Sequence, residues 1–261
     1  MSDTNQQEGR RAGIYRIIVG VALTLISIGQ FNDTKELLSA TYEDIKTAFT
    51  HEVQYEQLES LSIGRTIPFI EATFGPPEVI KTSSFQPDIR FQYYNIEKAI
   101  ITVFNNNGRV AGFVIIPLSE DFIPTLPYQD FPLARETISK VSSGQEGLYL
   151  DASNLIYYAE SEDMGKQYLF LQRIVGFIEY GGLELSLNDA IIDPSLILDD
   201  ILVLNEFLES GEDDELIEGI TAFREEYPAN FYAFTELEPS LVTESLLTRV
   251  EFETYFGGAH D

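Results

Sequence analysis

A hairpin signal in the first half of the chain constrains the fold most strongly. Residues 99–104 and 109–116 are rich in Ile, Val and Phe, and Asn-Asn-Asn-Gly lies between them at 105–108. An Asn-Gly pair between two apolar segments is the strongest local signal for a β-hairpin, because both residues tolerate the positive φ that a tight turn requires. Two further strands are predicted at 78–82 and 89–95. Together these segments predict an antiparallel meander of three or four strands.

A short helix is predicted just before the meander. Thr66 is a plausible N-cap and Pro68 suits the first helical turn. Gly75, followed by two prolines, then ends the helix. Residues 61–130 therefore form a first unit, a helix followed by a meander.

The following segment repeats this pattern. Tyr157-Tyr158 matches Tyr93-Tyr94, and Arg173-Ile-Val-Gly-Phe177 matches Arg109-Val-Ala-Gly-Phe113 at the same offset of 64 residues. A helix start near residue 133 also corresponds to the one near residue 63. The repeat predicts that residues 131–182 form a second unit related to the first.

These motifs also carry a family resemblance. An Ile-Gly-x-Thr helix start, a Gly-Pro helix stop, a Tyr-bearing strand and an Asn-Gly hairpin follow one another in residues 61–116, and less completely in 131–180. The order resembles the small outer-membrane assembly lipoproteins called SmpA/OmlA or BamE, and the tandem fold of β-lactamase inhibitory protein. The resemblance implies helices packed on a four-stranded sheet, and a role in binding proteins. The chain departs from the lipoproteins because it has no cysteine to acylate.

The paired tyrosines are the candidate interaction residues. Neighbouring residues of a strand point to opposite faces of a sheet, so one member of each pair is expected in the core and the other at the surface. Tyrosine is enriched at protein interfaces. Tyr93, Tyr94, Tyr157 and Tyr158 are therefore candidates for binding a partner, with a purely structural use as the alternative.

The N-terminal segment indicates a membrane anchor. Residues 17–32 carry no charge and follow Arg10, Arg11 and Arg16. If Arg16 reaches the interface, a helix over 12–31 is long enough to span a bilayer. The arginines then place the tail 1–11 in the cytoplasm and the rest on the other side of the membrane. The family resemblance implies that this is a bacterial inner membrane. A cleaved signal peptide and a buried core helix are the alternatives.

Residues 32–60 predict a juxtamembrane helix. Its apolar stripe either packs on its own domain or associates with a second copy, so a homo-oligomer is possible. The stripe consists of Leu38, Tyr42, Ile45 and Phe49.

Composition excludes several classes of function. The chain has 43 acidic and 16 basic residues, a net charge of −27, and no basic stretch that could follow a phosphate backbone, so no nucleic-acid partner is expected. It has no cysteine and only two histidines, which removes thiolate chemistry and most His-based sites. No metal or other cofactor is expected.

The acidic C-terminal segment, 183–261, is predicted to be mainly helical. Asp193-Pro194 starts a helix that ends at Ser210-Gly211, a second helix follows over 212–226, and the alternating residues 249–256 predict a closing strand. Residues 181–261 contain 20 acidic and two basic side chains. Asp199-Asp200 and Glu212–Glu215 lack the ligand spacing of an EF-hand, which favours a solvated surface over a Ca²⁺ site.

The predicted fold class is α+β, with a transmembrane helix, tandem helix-plus-meander units and an acidic helical segment. We expect a membrane-anchored, extracytoplasmic protein-binding module that serves as a scaffold, sensor or inhibitor, and not an enzyme. Two alternatives remain open. One is a membrane effector of a toxin or defence system that acts through oligomerisation of the anchor. The other is a hydrolase that uses two carboxylates.

Overall fold

The computed structural model describes residues 52–129, 131–144 and 146–257. The chain divides into two units, Met1–Gln54 and Tyr55–Asp261, and apart from residues 52–54 the features below belong to the second. The expected tail 1–11, the anchor 12–31 and most of the juxtamembrane helix lie outside the described residues. Within the described ranges, no helix has both the length and the apolar character needed to cross a bilayer.

Helices and strands alternate in blocks along the described chain. The helices are α1 (Glu52–Ser60), α2 (Ile67–Phe74), α3 (Ile138–Val141), α4 (Pro194–Ser210), α5 (Asp213–Glu226), α6 (Ser240–Ser245) and α7 (Arg249–Tyr255), with a 3-10 turn at Lys166–Tyr168. The strands are β1 (Val79–Thr82), β2 (Ile89–Asn95), β3 (Ala99–Asn106), β4 (Arg109–Pro117), β5 (Gly147–Asp151), β6 (Tyr157–Asp163), β7 (Gln172–Ile178), β8 (Ser186–Leu187), β9 (Ala190–Ile191) and β10 (Phe231–Thr235).

Eight of these strands form one antiparallel sheet. Its order is β1-β2-β3-β4-β10-β7-β6-β5, so the late strand β10 joins the β1–β4 meander to the β5–β7 meander. The strands β8 and β9 form a separate two-stranded ribbon. The β3–β4 hairpin has Asn107 and Gly108 at positive φ, as the sequence predicted.

Two glycines allow close contacts between strands in the centre of the sheet. Gly112 on β4 is paired with Thr235, and Gly176 on β7 is paired with Phe231. A Cβ on Gly112 would lie 2.7 Å from Thr235 Oγ1 of β10, whereas a Cβ on Gly176 would lie 2.0 Å from the Tyr158 carbonyl oxygen of β6 and 2.9 Å from Phe231 Cε1 of β10. Both glycines come from the repeated Arg-x-x-Gly-Phe motif, so at both positions the motif's glycine avoids a clash with a neighbouring strand.

The sheet is covered on both faces. One face packs against α2, α3, α4 and α5 through a large apolar core. The other packs against α6 and the segment that follows it, including the buried side chain of Phe256. Because both faces are buried, the central strands are almost continuously apolar and do not alternate.

The predicted architecture is wrong. A single eight-stranded sheet with helices on both faces takes the place of separate tandem units. The acidic segment is mainly helical within its described residues, but it also supplies the central strand β10, and the predicted closing strand 249–256 is the helix α7. Apolar and polar residues alternate in 249–256 as in a strand, but a capping box starts a helix there. The Thr248 hydroxyl accepts a hydrogen bond from the Glu251 N–H, and the Glu251 carboxylate accepts one from the Thr248 N–H.

Candidate protein-interaction surface

The structure separates the two tyrosine pairs and buries most of them. Tyr93 and Tyr94 lie on β2 and Tyr157 and Tyr158 on β6, with four strands of the sheet between. Neighbours do point to opposite faces, but helices cover both faces. Tyr93, Tyr94 and Tyr158 are buried and Tyr157 is half-buried. The expectation of one exposed tyrosine in each pair therefore fails for the first pair.

Two of the three buried tyrosine hydroxyls donate hydrogen bonds within the protein. Tyr93 donates a hydrogen bond to the Ser245 carbonyl at 2.7 Å, and Tyr158 donates to Glu160 Oε2 at 2.9 Å. The Tyr94 hydroxyl is buried without a hydrogen-bond partner among the described residues. Desolvation by burial, with a smaller contribution from Glu71, raises the pKa of Tyr94 to about 12. None of these groups is presented to a partner in the folded chain.

A different set of large apolar side chains is exposed. Tyr128 lies in the connection that follows β4, and Leu169 and Phe170 lie in the loop between β6 and β7. Their exposed fractions are 57%, 85% and 60%. The rings of Tyr128 and Tyr168 are 5.0 Å apart, which brings the two loops together. We call Tyr128, Tyr168, Leu169 and Phe170 the Tyr128 surface.

The backbone of the Tyr128 surface is strained at each of its exposed apolar residues. Tyr128, Leu169 and Phe170 have φ values of 66°, 57° and 58°. The left-handed region costs a bulky residue about 1–2 kcal/mol relative to the right-handed one. Strained residues of this kind persist only where the surroundings enforce them, and they cluster at functional sites.

Hydrogen bonds close the loop that carries Leu169 and Phe170. The Met164 N–H donates to the Leu171 carbonyl at 2.9 Å, and the Phe170 N–H donates to the Gly165 carbonyl at 3.0 Å. Tyr128 is fixed from the other side, since its ring also lies 5.6 Å from that of Phe234 on β10. The exposed apolar side chains are therefore displayed on an ordered backbone.

A groove of about 740 Å³ adjoins the Tyr128 surface. The residues that line it belong to α1, to the turn that follows α1, to the connection after β4 and to β10. The Tyr55 hydroxyl accepts from the Ile123 N–H at 3.0 Å and donates to the Ile123 carbonyl at 3.2 Å, which ties the connection to α1. Tyr128 belongs both to the surface and to the groove, so the two are continuous.

One buried polar atom of the groove has no partner among the residues that the structure describes: the side-chain oxygen of Gln129. Tyr232 of β10 also lines the groove and is 3% exposed as a whole residue. Desolvation raises the pKa of Tyr232, so its hydroxyl keeps its proton at neutral pH.

The acidic side chains do not assemble a metal centre in the described ranges. No group of three or more His, Asp or Glu residues is placed there to hold a metal ion. Asp200 accepts a hydrogen bond from the Tyr227 hydroxyl at 2.7 Å. The three most buried carboxylates of the ion pairs, Glu160, Glu179 and Glu162, are each paired with an arginine, namely Arg224, Arg249 and Arg173.

The sequence contains one signal for the Tyr128 surface, which the tyrosine-pair hypothesis overlooked. Tyr-Leu-Phe-Leu at 168–171 is an apolar run in a connection between two strands, where loops are usually polar. Tyr128 carries no comparable signal, because only the tertiary structure brings it next to Tyr168.

Comparisons with known proteins add little to this geometry. No protein family model matches the chain, and no characterised protein matches its sequence. Among solved structures, an extracellular protein containing an SCP domain from Bacillus anthracis str. Ames is similar at a TM-score of 0.33 and 10% identity. The similarity covers 75% of this chain and 53% of that one, so the chain spans about half the length of the structure it matches.

Proposed function

We propose that the chain is a protein-binding module whose Tyr128 surface binds an apolar segment of a partner protein. The observation that carries the proposal is the exposure of Tyr128, Leu169 and Phe170 on an ordered, left-handed backbone. The family resemblance noted in the sequence, to proteins that act by binding other proteins, agrees with it.

Burial of this surface would supply the binding free energy. Removing apolar area from water is worth about 25 cal/mol per Å². A loop already closed by hydrogen bonds loses little conformational entropy when it binds, so more of that free energy appears as affinity. Aromatic anchors of this type dominate the energetics of protein interfaces.

Charge restricts the class of partner. The net charge of −27 repels other acidic surfaces at low ionic strength and accelerates association with basic ones. The partner segment is therefore apolar with basic flanking residues.

The proposal is tested by selecting peptides from a displayed random library on the full-length chain. Binding of the selected peptides is then measured for wild type and for the double variant Leu169→Ser/Phe170→Ser. We expect at least a tenfold loss of affinity in the variant. The matched control is Ile191→Ser/Val250→Ser, which removes two apolar side chains that are each 71% exposed outside this surface.

Two results would contradict the proposal. Peptides that bind the Leu169→Ser/Phe170→Ser variant as tightly as wild type would show that binding occurs elsewhere. Failure of the selection to yield any specific peptide would contradict the proposal that the chain binds apolar protein segments. Sedimentation velocity on the same samples identifies the case in which the surface binds a second copy of this chain.

A further inference from the structure

We infer that the outer face of the α4–α5 hairpin binds an amphipathic helix of a partner protein, one with an apolar stripe and basic flanking residues. The inference goes beyond the proposed function, because the hairpin shares no residue with the Tyr128 surface. It rests on an apolar groove between the two helices and on the charge that surrounds this groove.

The groove is apolar along most of its length. Its lining includes Val203 and Phe207 of α4 and Gly219 and Ala222 of α5. Gly219 allows the two helices to approach closely, because a Cβ at this position would lie 2.7 Å from Leu204 Cδ2. Val203 is 45% exposed, so the groove is open to a partner in the described part of the chain.

The apolar face continues along α4 beyond the groove. Leu196, which is 54% exposed, precedes Val203 by seven residues, and Phe207 follows Val203 by four. Residues at these spacings share one face of a helix. The uncovered apolar positions therefore extend over about three turns of α4, the length that a docked helix needs for several side-chain anchors.

The size of the groove favours side chains of a helix over other occupants. Its volume is about 170 Å³, whereas pockets for small molecules start at about 300 Å³. The backbone groups of α4 and α5 are hydrogen-bonded within their own helices, so they offer no partners to an extended segment. A helix satisfies its own backbone and presents only side chains to the groove.

Charge restricts the docked helix to a basic one. Residues 194–226 contain 11 acidic side chains, and Arg224 is their only basic one. Arg224 points inward, where it pairs with Glu160 and donates to the Ser142 carbonyl at 2.8 Å. The outer face of the hairpin is thus both apolar and acidic. It repels an acidic helix and attracts one with basic residues beside its apolar stripe.

Two carboxylates mark one end of the groove. Asp200 and Glu226 both line it. The hydroxyl of Tyr227, the residue after Glu226, donates to Asp200 Oδ2 at 2.7 Å, which brings the end of α5 next to this part of α4. Neither carboxylate forms an ion pair within the described ranges. A lysine or arginine of the docked helix would supply the missing cation.

A synthetic peptide of about five helical turns tests the inference. It carries leucine at positions i, i+3, i+4 and i+7 and lysine on both flanks, and its binding to the full-length chain is measured by fluorescence anisotropy. One matched peptide has glutamate in place of lysine, and another has a central proline that breaks the helix. Only the lysine peptide should bind. Absence of its binding, or equal binding of either matched peptide, would overturn the inference.

Neighbouring residues of α4 provide a matched pair of apolar variants. Leu202 and Val203 are each 45% exposed, but only Val203 lines the groove. Val203→Ser should weaken binding of the lysine peptide about fivefold through loss of apolar contact, and Leu202→Ser should leave it unchanged. Ala222→Gln, which places a longer polar side chain in the groove, should weaken binding to a similar extent. Equal affinities of wild type and the two groove variants would overturn the inference.

Neighbouring residues of α5 provide a matched pair of charge variants. Glu225→Gln and Glu226→Gln remove the same charge from the same helix, but only Glu226 lines the groove. We expect about a threefold loss of affinity for Glu226→Gln and a smaller loss for Glu225→Gln. Equal losses would show that the peptide responds to overall charge alone, and would overturn the inference.

Two further measurements separate this groove from other binding sites. Leu169→Ser/Phe170→Ser should bind the lysine peptide like wild type, and a loss of binding would place the peptide on the Tyr128 surface and overturn the inference. Sedimentation velocity should show no self-association that Val203→Ser abolishes. Such self-association would assign the groove to a second copy of this chain instead of a basic partner.

Discussion

Arg224 on α5 lies with its Nε 2.7 Å from Glu160 Oε2 on β6, although Glu160 is only 2% exposed. The contact is an ion pair whose geometry falls short of a hydrogen bond, and Glu160 Oε1 has no partner in the described part of the chain. Arg224 Nη2 donates instead to the Ser142 carbonyl at 2.8 Å. The Arg224 side chain therefore connects α5 both to the sheet, through Glu160, and to the segment after α3, through Ser142.

Replacing the cation should destabilise the fold strongly. In Arg224→Met, Glu160 loses its nearest counter-ion and retains only the electrostatic interaction with Arg173. We expect a loss of about 2–4 kcal/mol in the free energy of unfolding. Urea denaturation measures it. The control is Lys140→Met, which removes an exposed pair with Glu136 and should cost less than about 0.5 kcal/mol. Equal effects of the two substitutions would show that burial of Glu160 is unimportant.

The adjacent tyrosines of β2 should respond differently to loss of the hydroxyl. Tyr93→Phe removes a buried hydrogen bond to Ser245 and should cost about 1 kcal/mol. Tyr94→Phe removes a buried hydroxyl that has no partner among the described residues, and should leave stability unchanged or raise it. Thermal unfolding of both variants checks the contrast, which would be contradicted if Tyr94→Phe were the more destabilising.

Glu244 should make stability depend on pH. Desolvation raises its pKa, but hydrogen bonds from Ser83, Ser84 and Phe85 outweigh that effect and hold the pKa below its ordinary value of 4.5. Ser83 Oγ and the Ser84 N–H each donate to the carboxylate at 2.5 Å. These bonds tie the β1–β2 loop to α6.

The depressed pKa of Glu244 makes the folded state more stable at neutral pH than in acid. The charged form is favoured in the folded state, so its contribution is complete above pH 4.5 and is lost as the pH falls through the lower folded value. Glu244→Gln should lower the free energy of unfolding by about 1 kcal/mol at neutral pH. The difference from wild type should shrink under acid. A constant difference at all pH values would contradict this assignment, and Glu253→Gln on the exposed side of α7 is the control.

Leu169→Gly should separate stability from binding. The left-handed backbone at Leu169 suits glycine, and the lost side chain is 85% exposed, so the free energy of unfolding should stay constant or rise by up to about 1 kcal/mol. Affinity for peptides selected on wild type should fall. Calorimetry and peptide titration on the same preparation check both effects. A clear loss of stability would indicate that Leu169 packs against the protein.

Elements with strong local signals were predicted closely. The helix over 67–74 begins and ends as its Pro and Gly residues indicated, and α4 begins after the Asp193 cap and ends before Gly211. The strands of the first meander agree with their predicted bounds to within two residues. In each case, turn or cap chemistry within the segment determines the boundary.

Two errors arose where tertiary packing decides the conformation. The strand β10, Phe-Tyr-Ala-Phe-Thr, is buried on both faces, so it has no alternation and was missed. The alternating residues 249–256 form a helix because Thr248 and Glu251 cap its start. A capping box is readable from sequence, so the second error was avoidable.

The candidate surface could be predicted only in part. Tyrosine pairs on strands were the predicted binding residues, since one face of an antiparallel sheet is often open to solvent. Here α2 to α5 cover one face and α6 and α7 cover the other. Exposure of Tyr128 depends on contacts between distant loops, which no local pattern specifies.

The position of β10 also orders events during synthesis. Every other strand of the sheet precedes it in the chain, so a ribosome delivers two half-sheets first, with β4 and β7 as unpaired edges. Exposed apolar edges are prone to pair with other chains. We expect the edges of β4 and β7 to stay unpaired until residues 231–235 have left the ribosome. Insertion of β10 between them is then the step that protects the nascent chain from pairing with other chains.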